Sequence, residues 1–184
     1  WVEPISANYR GYDIWELPPN THGMVVLLAL KILSNFEIKS NSMDSYHYMI
    51  EAMKLAFVDG LRYITDLRKM GNNVEHLLSD SYTSNRSKLI CEEAISPKHG
   101  ALNTGGTVYL STADKYGNMV SYIQSNYMGF GSGLVVPGTG ISLHNRGYTF
   151  SLDKEAYNRL EPNKKTYHTI IPGFITKDNK AIGP

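Results

Sequence analysis

One cysteine, Cys91, in 184 residues has no partner within the chain, which excludes an internal disulfide framework and an all-cysteine metal site. An excess of one charge is also lacking. Lys and Arg number 18 against 17 Asp and Glu, a formal net charge of +1 with no basic block, so electrostatics makes no case for nucleic acid or an anionic membrane as partner. The longest apolar run, Met24 to Leu30, falls far short of the ~20 residues of a bilayer-spanning helix. No basic-then-apolar leader is visible after Trp1, so the sequence leaves the compartment undecided. His22, His47, His76, His99, His144 and His168 include no pair three to five residues apart, so neither a metal site nor a cofactor is expected. The glycine cluster carries no G-x-x-x-x-G-K-[ST], and Gly129-Phe130-Gly131-Ser132-Gly133 does not continue as G-x-G-x-x-G. Those glycines are read instead as tight turns and close backbone approach.

What is present divides the chain near its middle. From Pro18 to about Ile90 the pattern is helical. Asn20 or Thr21 can cap an apolar helix over Gly23 to Leu33, and Asp44 or Ser45 can cap a second. In the second, Tyr46, Met49, Ile50, Met53 and Phe57 recur at three- and four-residue spacing, and Glu51 and Lys54 form a pair worth a few tenths of a kcal/mol. A third helix is expected from Ser79 to Ile90, with the stem of Arg86 among Tyr82, Leu89 and Ile90. Residues 92–106 read as an exposed connector. Thr107 to Ala113 and Met119 to Ser125 alternate as strands around the turn residues Asp114 to Asn118, which predicts a hairpin. Thr169 to Ile175 reads as another strand, with a further one beginning after the Lys177 to Lys180 turn. The sequence reads as cut at its ends.

The junction Gly105-Gly106-Thr107 stands out. Breaking the Gly106–Thr107 bond would give Thr107 a free α-amine beside its own hydroxyl. That amine has a reference pKa near ~7.7–8.0 and can accept the hydroxyl proton at neutral pH, so one residue would supply nucleophile and base. On spacing alone, an ordinary turn entering a strand remains the simpler reading.

The run from Gly105 to Ser121 resembles the start of the small subunit in the γ-glutamyltranspeptidase family. So do Gly129 to Gly133 and Gly138-Thr139-Gly140-Ile141. Upstream, Tyr12 to Asn20 and Ile50 to Phe57 resemble the closing part of that family's large subunit. The resemblance implies an α+β fold, the four-layer αββα sandwich of N-terminal-nucleophile hydrolases, of which this chain would be part. It implies two segments: 1–106, the mainly helical end of the large subunit, and 107–184, the start of the small subunit. It implies self-cleavage between Gly106 and Thr107 and a heterodimer of the two products, intertwined through a shared sheet. Thr107 would be the nucleophile, and Ser125 stands where the family places a hydroxyl that hydrogen-bonds it. A plain strand serine is the competing reading for Ser125.

Departures from the family's pattern concern the substrate. Tyr127 stands where transpeptidases carry an Asn, and Arg146 and Thr149 where they carry polar residues that hold the donor's α-amino group. His168 and Thr169 replace a pair of serines. The family's oxyanion glycines would follow Pro184, and its carboxylate-binding arginine would precede Trp1. An arginine attracts a carboxylate and repels an ammonium. Tyr127, Arg146, His168 and Thr169 are therefore the expected substrate-binding residues. By family weight the expected activity is γ-glutamyl transfer or glutathione hydrolysis, with water or an amine as acceptor. The alternatives are an amidohydrolase acting on a small carboxylate-bearing amide such as oxamate, and a homologue that never matures and only binds.

Overall fold

The computed structural model describes residues 1–96 and 107–184. Gly106, half of the expected cleavage junction, and His99 lie outside the described residues. The fold is α+β, as expected.

The chain opens with a hairpin that the sequence reading passed over. Strand β1 (Ile5–Tyr9) pairs with β2 (Tyr12–Glu16) in antiparallel register, Tyr9 opposite Tyr12. The two-residue loop between them places Arg10 and Gly11 at φ +55° and +85°, the left-handed pair that matches strand twist. Helix α1 (Gly23–Leu33) follows as expected, but neither expected cap is used. His22 occupies the N-cap position without a side-chain bond. The Thr21 hydroxyl turns back to Leu17 O at 2.9 Å, and the Asn20 amide donates to Thr166 O at 2.6 Å.

Helix α2 (Met43–Tyr63) starts after Ser42 rather than at Asp44 or Ser45. Its apolar stripe also faces the other way from the simplest reading. Tyr46, Met49, Ile50 and Met53 are exposed, while Ala52, Leu55, Ala56 and Gly60 are buried against α1. Close crossing selects small residues here: Val25 lies so near Gly60 that no side chain fits between the helices. Met24, Val25, Leu28, Ile32, Ala52, Leu55, Ala56 and Ile64 form the centre of the core.

The Glu51–Lys54 pair does more than the surface pair expected of it. Glu51 is 1% exposed, accepts from Lys54 Nζ at 2.7 Å and from the Ile95 amide at 3.2 Å, and so pins the start of the expected connector onto α2. After the short helix α3 (Asn73–Leu77) comes α4 (Asp80–Ser87), capped by the Ser79 hydroxyl, which accepts from the Tyr82 amide. It stops before Leu89, which is exposed, and Arg86 extends instead to buried Asp59 at 2.9 Å.

Strands β3 (Thr107–Ala113) and β4 (Met119–Ser125) form the predicted hairpin with the predicted ends. Asp114 accepts from the Tyr116 and Asn118 amides and closes the turn. Strands β5 (Phe174–Lys177) and β6 (Lys180–Gly183) complete a four-stranded antiparallel sheet in the order β1-β2-β5-β6. The expected strand at 169–175 begins only at Phe174, because Pro172 has no amide to donate and Gly173 lies against the Glu16 carboxyl. The residues before and after the junction do share a sheet. They share it through β2 and β5, whereas among the described residues β3 pairs with β4 alone.

Candidate active site

Thr107 and Ser125 stand directly opposite each other at the open end of the β3–β4 hairpin. Opposed residues of an antiparallel pair project to the same face, with Cβ atoms about 4.5–5.5 Å apart. Thr107 is exposed and Ser125 half-buried. The Ser125 hydroxyl accepts from the Tyr127 amide at 2.9 Å, which turns the chain out of the strand. Tyr127 takes φ +77°, a left-handed conformation that a bulky residue adopts only when its surroundings hold it.

That turn delivers the Tyr127 ring to Arg146, whose guanidinium carbon lies 5.2 Å from the ring centroid. The loop between them is tied back on itself. The Asn145 side chain accepts from the Met128 amide at 3.1 Å, and a methyl group on Gly131 would lie 2.5 Å from Leu143 O. At Gly131 the reading of close backbone approach holds.

Arg146 opens a 3₁₀ turn, Arg146–Thr149, and is 1% exposed. Nη1 donates to Thr169 Oγ1 at 2.7 Å, while Nε and Nη2 are buried without a hydrogen-bond partner. Among the described residues no carboxylate lies within ion-pair distance of it. Burial disfavours its charge, and the facing Tyr127 favours it. Two donors of a buried cation are thus left unsatisfied by the described residues.

Of the expected site residues, Tyr127, Arg146, His168 and Thr169 are thus brought into one cluster. It joins the Thr107–Ser125 pair through the turn at Tyr127. Thr149, by contrast, is structural: its hydroxyl donates towards Arg146 O and Tyr167 O and meets Thr166 Oγ1 at 2.7 Å.

Two site residues escaped the sequence reading. His22, at the start of α1, meets the Tyr167 hydroxyl through Nδ1 at 2.8 Å, and its amide donates to His168 O at 2.9 Å. No local signal marked them out, since His22 and Tyr167 are 145 residues apart in the sequence. Burial, and then the charge of Arg146, lower His22 to about 4. His168 is also lowered to about 4, by burial first, then by Arg146, His144 and His22. Tyr167 is raised well above its usual range by burial. At neutral pH His22, Tyr167 and His168 are therefore neutral neighbours of Arg146.

Behind this cluster, Asn158 is a buried hub. Its amide nitrogen donates to Thr149 O at 2.8 Å and Thr166 Oγ1 at 3.2 Å, and its oxygen accepts from Thr65 and the Tyr167 amide. The hub ties the Arg146 turn to the segment that carries Tyr167, His168 and Thr169.

The α+β fold, taken with the matches to known proteins, places the chain in the N-terminal-nucleophile hydrolase superfamily. The profile of the family described as Gamma-glutamyltranspeptidase matches residues 1–183, and the chain belongs to that family. It is 39% identical to the glutathione hydrolase-like YwrD proenzyme of Bacillus subtilis, over 98% of this chain and 35% of that protein. It is 35% identical to the oxamate amidohydrolase proenzyme of Klebsiella pneumoniae, over 92% of this chain and 32% of that protein. Among solved structures, the cephalosporin acylase from Bacillus halodurans superposes with a TM-score of 0.92 at 59% identity, covering 100% of this chain and 34% of that one. The chain thus spans about a third of the length of the relatives it matches.

Proposed function

We infer that the chain carries the nucleophile and the acyl pocket of a self-processing amide hydrolase whose preferred acyl group bears a carboxylate. Thr107 attacks the Gly106 carbonyl, and an N-to-O shift followed by hydrolysis frees the Thr107 amine. In turnover that amine takes the hydroxyl proton as the oxygen adds to the substrate amide, then returns it to the leaving amine. The acyl-threonine is released to water or to an acceptor amine. Ser125, opposite Thr107, orients the nucleophile. The mature protein is a heterodimer divided at 106/107, its two segments held together by the β2–β5 pairing.

The observation that carries the substrate reading is Arg146, buried with Nε and Nη2 unpartnered and no acidic neighbour among the described residues. A carboxylate satisfies both donors; a γ-glutamyl group also carries one, but adds an α-ammonium that meets the same charge as Arg146. The names of the relatives, which include an oxamate amidohydrolase and a cephalosporin acylase, agree with amide substrates beyond glutathione. γ-Glutamyl transfer or glutathione hydrolysis is the second reading, supported by the family and by the glutathione hydrolase-like relative.

The test uses full-length protein. Intact mass and N-terminal sequencing should show a new terminus beginning Thr107-Val108-Tyr109, absent from Thr107→Ala. Glutaryl and γ-glutamyl p-nitroanilides differ at the α-carbon only by the ammonium. Faster cleavage of the glutaryl compound is expected. Faster cleavage of the γ-glutamyl compound returns the assignment to glutathione chemistry, and an unbroken, inactive chain leaves a binding homologue.

A further inference from the structure

Three imidazoles stand around Arg146, and their hydrogen bonds make them chemically unequal. His144 Nδ1 accepts from the Arg146 amide at 3.2 Å. His168 Nδ1 accepts from the Ile170 amide at 3.4 Å. In each of these rings Nδ1 already accepts from a backbone N–H and cannot also carry a hydrogen without losing that bond. His22 differs. Its Nδ1 partner is the Tyr167 hydroxyl, which both donates and accepts, so the 2.8 Å contact survives whether the ring is neutral or charged. Among the described residues of this cluster, His22 is the imidazole that can gain a proton without losing a hydrogen bond.

The groups facing His22 set the direction of that change. Tyr167 contributes its hydroxyl, the turn at Arg146 contributes the guanidinium charge, and His168 lies alongside through the backbone bond. From α2 comes only the Phe57 ring, edge-on at 5.9 Å. From β2, Glu16 lies behind the next residue, where a methyl on Gly23 would sit 2.7 Å from Oε2. Glu16 is itself raised to about 7 by burial, so it is largely protonated below neutral pH and supplies little negative charge there. Burial first, and then the charge of Arg146, oppose an imidazolium at His22. An anion seated on Nε and Nη2 of Arg146 cancels the second of these and attracts a further cation.

We propose that His22 is a second anion-recognition residue of the acyl pocket, taking a proton from solvent as a substrate carboxylate pairs with Arg146, with the Tyr167 hydroxyl accepting from the new imidazolium. This rests on the reading of Arg146 as the carboxylate socket. Binding and proton uptake are then linked. The carboxylate is held by a guanidinium and an imidazolium together, and its affinity rises as pH falls below neutrality. A neutral acyl group recruits no proton and gains nothing from acidification. Substrate choice thereby becomes pH-dependent although the nucleophile is unchanged.

The test is calorimetric titration of the matured full-length protein with glutarate, in two buffers of different ionisation enthalpy, from pH 7.5 to 5.5. Protons taken up by glutarate itself are common to all variants, so wild type is compared with His22→Gln and with Tyr167→Phe. Expected for wild type is an additional uptake approaching about one proton per site at the acid end, with affinity improving roughly three- to tenfold across the range. His22→Gln, which keeps a hydrogen bond to Tyr167 but cannot be charged, should lose the additional uptake. Tyr167→Phe should reduce it. Equal uptake in wild type and His22→Gln, or none beyond that of the ligand, overturns the inference while leaving Arg146 in place. Absence of glutarate binding at every pH overturns the carboxylate reading and this inference with it.

Discussion

The Glu16 carboxyl fills the space that a side chain on Gly23 would need, its Oε2 lying 2.7 Å from where a methyl there would be. It is 5% exposed, Oε2 has no hydrogen-bond partner, and the other oxygen lies against Gly173. One carboxyl thus spaces the start of α1 from the entry to β5, and both glycines exist to admit it.

Glu16→Gln should remove a pH dependence of stability. Burial raises the folded-state value from 4.5 to about 7. The folded protein therefore holds more protons than the unfolded chain between those limits, and stability falls as pH rises through that window. Full ionisation costs on the order of 2–3 kcal/mol, an upper range for a group that relaxation and water can reach. Thermal midpoints of wild type and Glu16→Gln should agree near pH 4.5 and diverge by pH 8, with the variant higher. Parallel curves would mean that Glu16 is ionised and solvated.

Arg146→Met should separate stability from function in opposite directions. The guanidinium is buried with two donors unused, so an apolar side chain of similar length should raise stability by about 1–3 kcal/mol in the empty enzyme. The same change should cut kcat/KM for a carboxylate-bearing anilide by roughly 30-fold or more, with the loss mainly in KM. Unchanged KM would remove Arg146 from the pocket.

Ser125→Ala tests the hairpin pair. If the hydroxyl orients Thr107, kcat and the rate of maturation should both fall by about 10- to 100-fold, the range for losing one hydrogen bond to a reacting group. KM should move little, and Ser125→Thr should restore most of the rate. A shift in KM with kcat intact would assign Ser125 to the turn it makes with the Tyr127 amide.

Elements governed by local chemistry were legible in the sequence. The β3–β4 hairpin has strand alternation and an Asp-Lys-Tyr-Gly-Asn turn in one window, α1 has the length of its apolar run, and α4 has its Ser79 cap. The β1–β2 hairpin was also local, but Arg10-Gly11 is a less familiar left-handed pair than Asn-Gly. The stripe on α2 misled because periodicity gives a helix without saying which side faces inward. Packing against α1 chose the small residues, and no local pattern encodes a neighbour's closeness. Thr107, Ser125, Tyr127, Arg146, His168 and Thr169 were named as candidates through family resemblance. His22, Tyr167 and Asn158 were not, because their contacts join residues far apart in the chain.

Asn158 is where that non-local wiring is most exposed to test. Its four partners come from three separate places: Thr65 after α2, Thr149 in the Arg146 turn, and Thr166 and Tyr167 on the segment leading to His168. Leucine has similar volume and no polar atoms. Asn158→Leu would strand the Tyr167 amide and the Thr149 carbonyl in a buried site, each deprived of its bond to Asn158. A loss of about 2–4 kcal/mol is expected, more than a surface substitution gives. The functional consequence distinguishes this hub from a merely buried residue. Because it holds the Arg146 turn against the segment of His168 and Thr169, KM for a carboxylate-bearing substrate should rise in the surviving folded fraction, while a substrate with a neutral acyl group should show a smaller change. Equal effects on both substrates would mean that Asn158 supports the fold without setting the pocket.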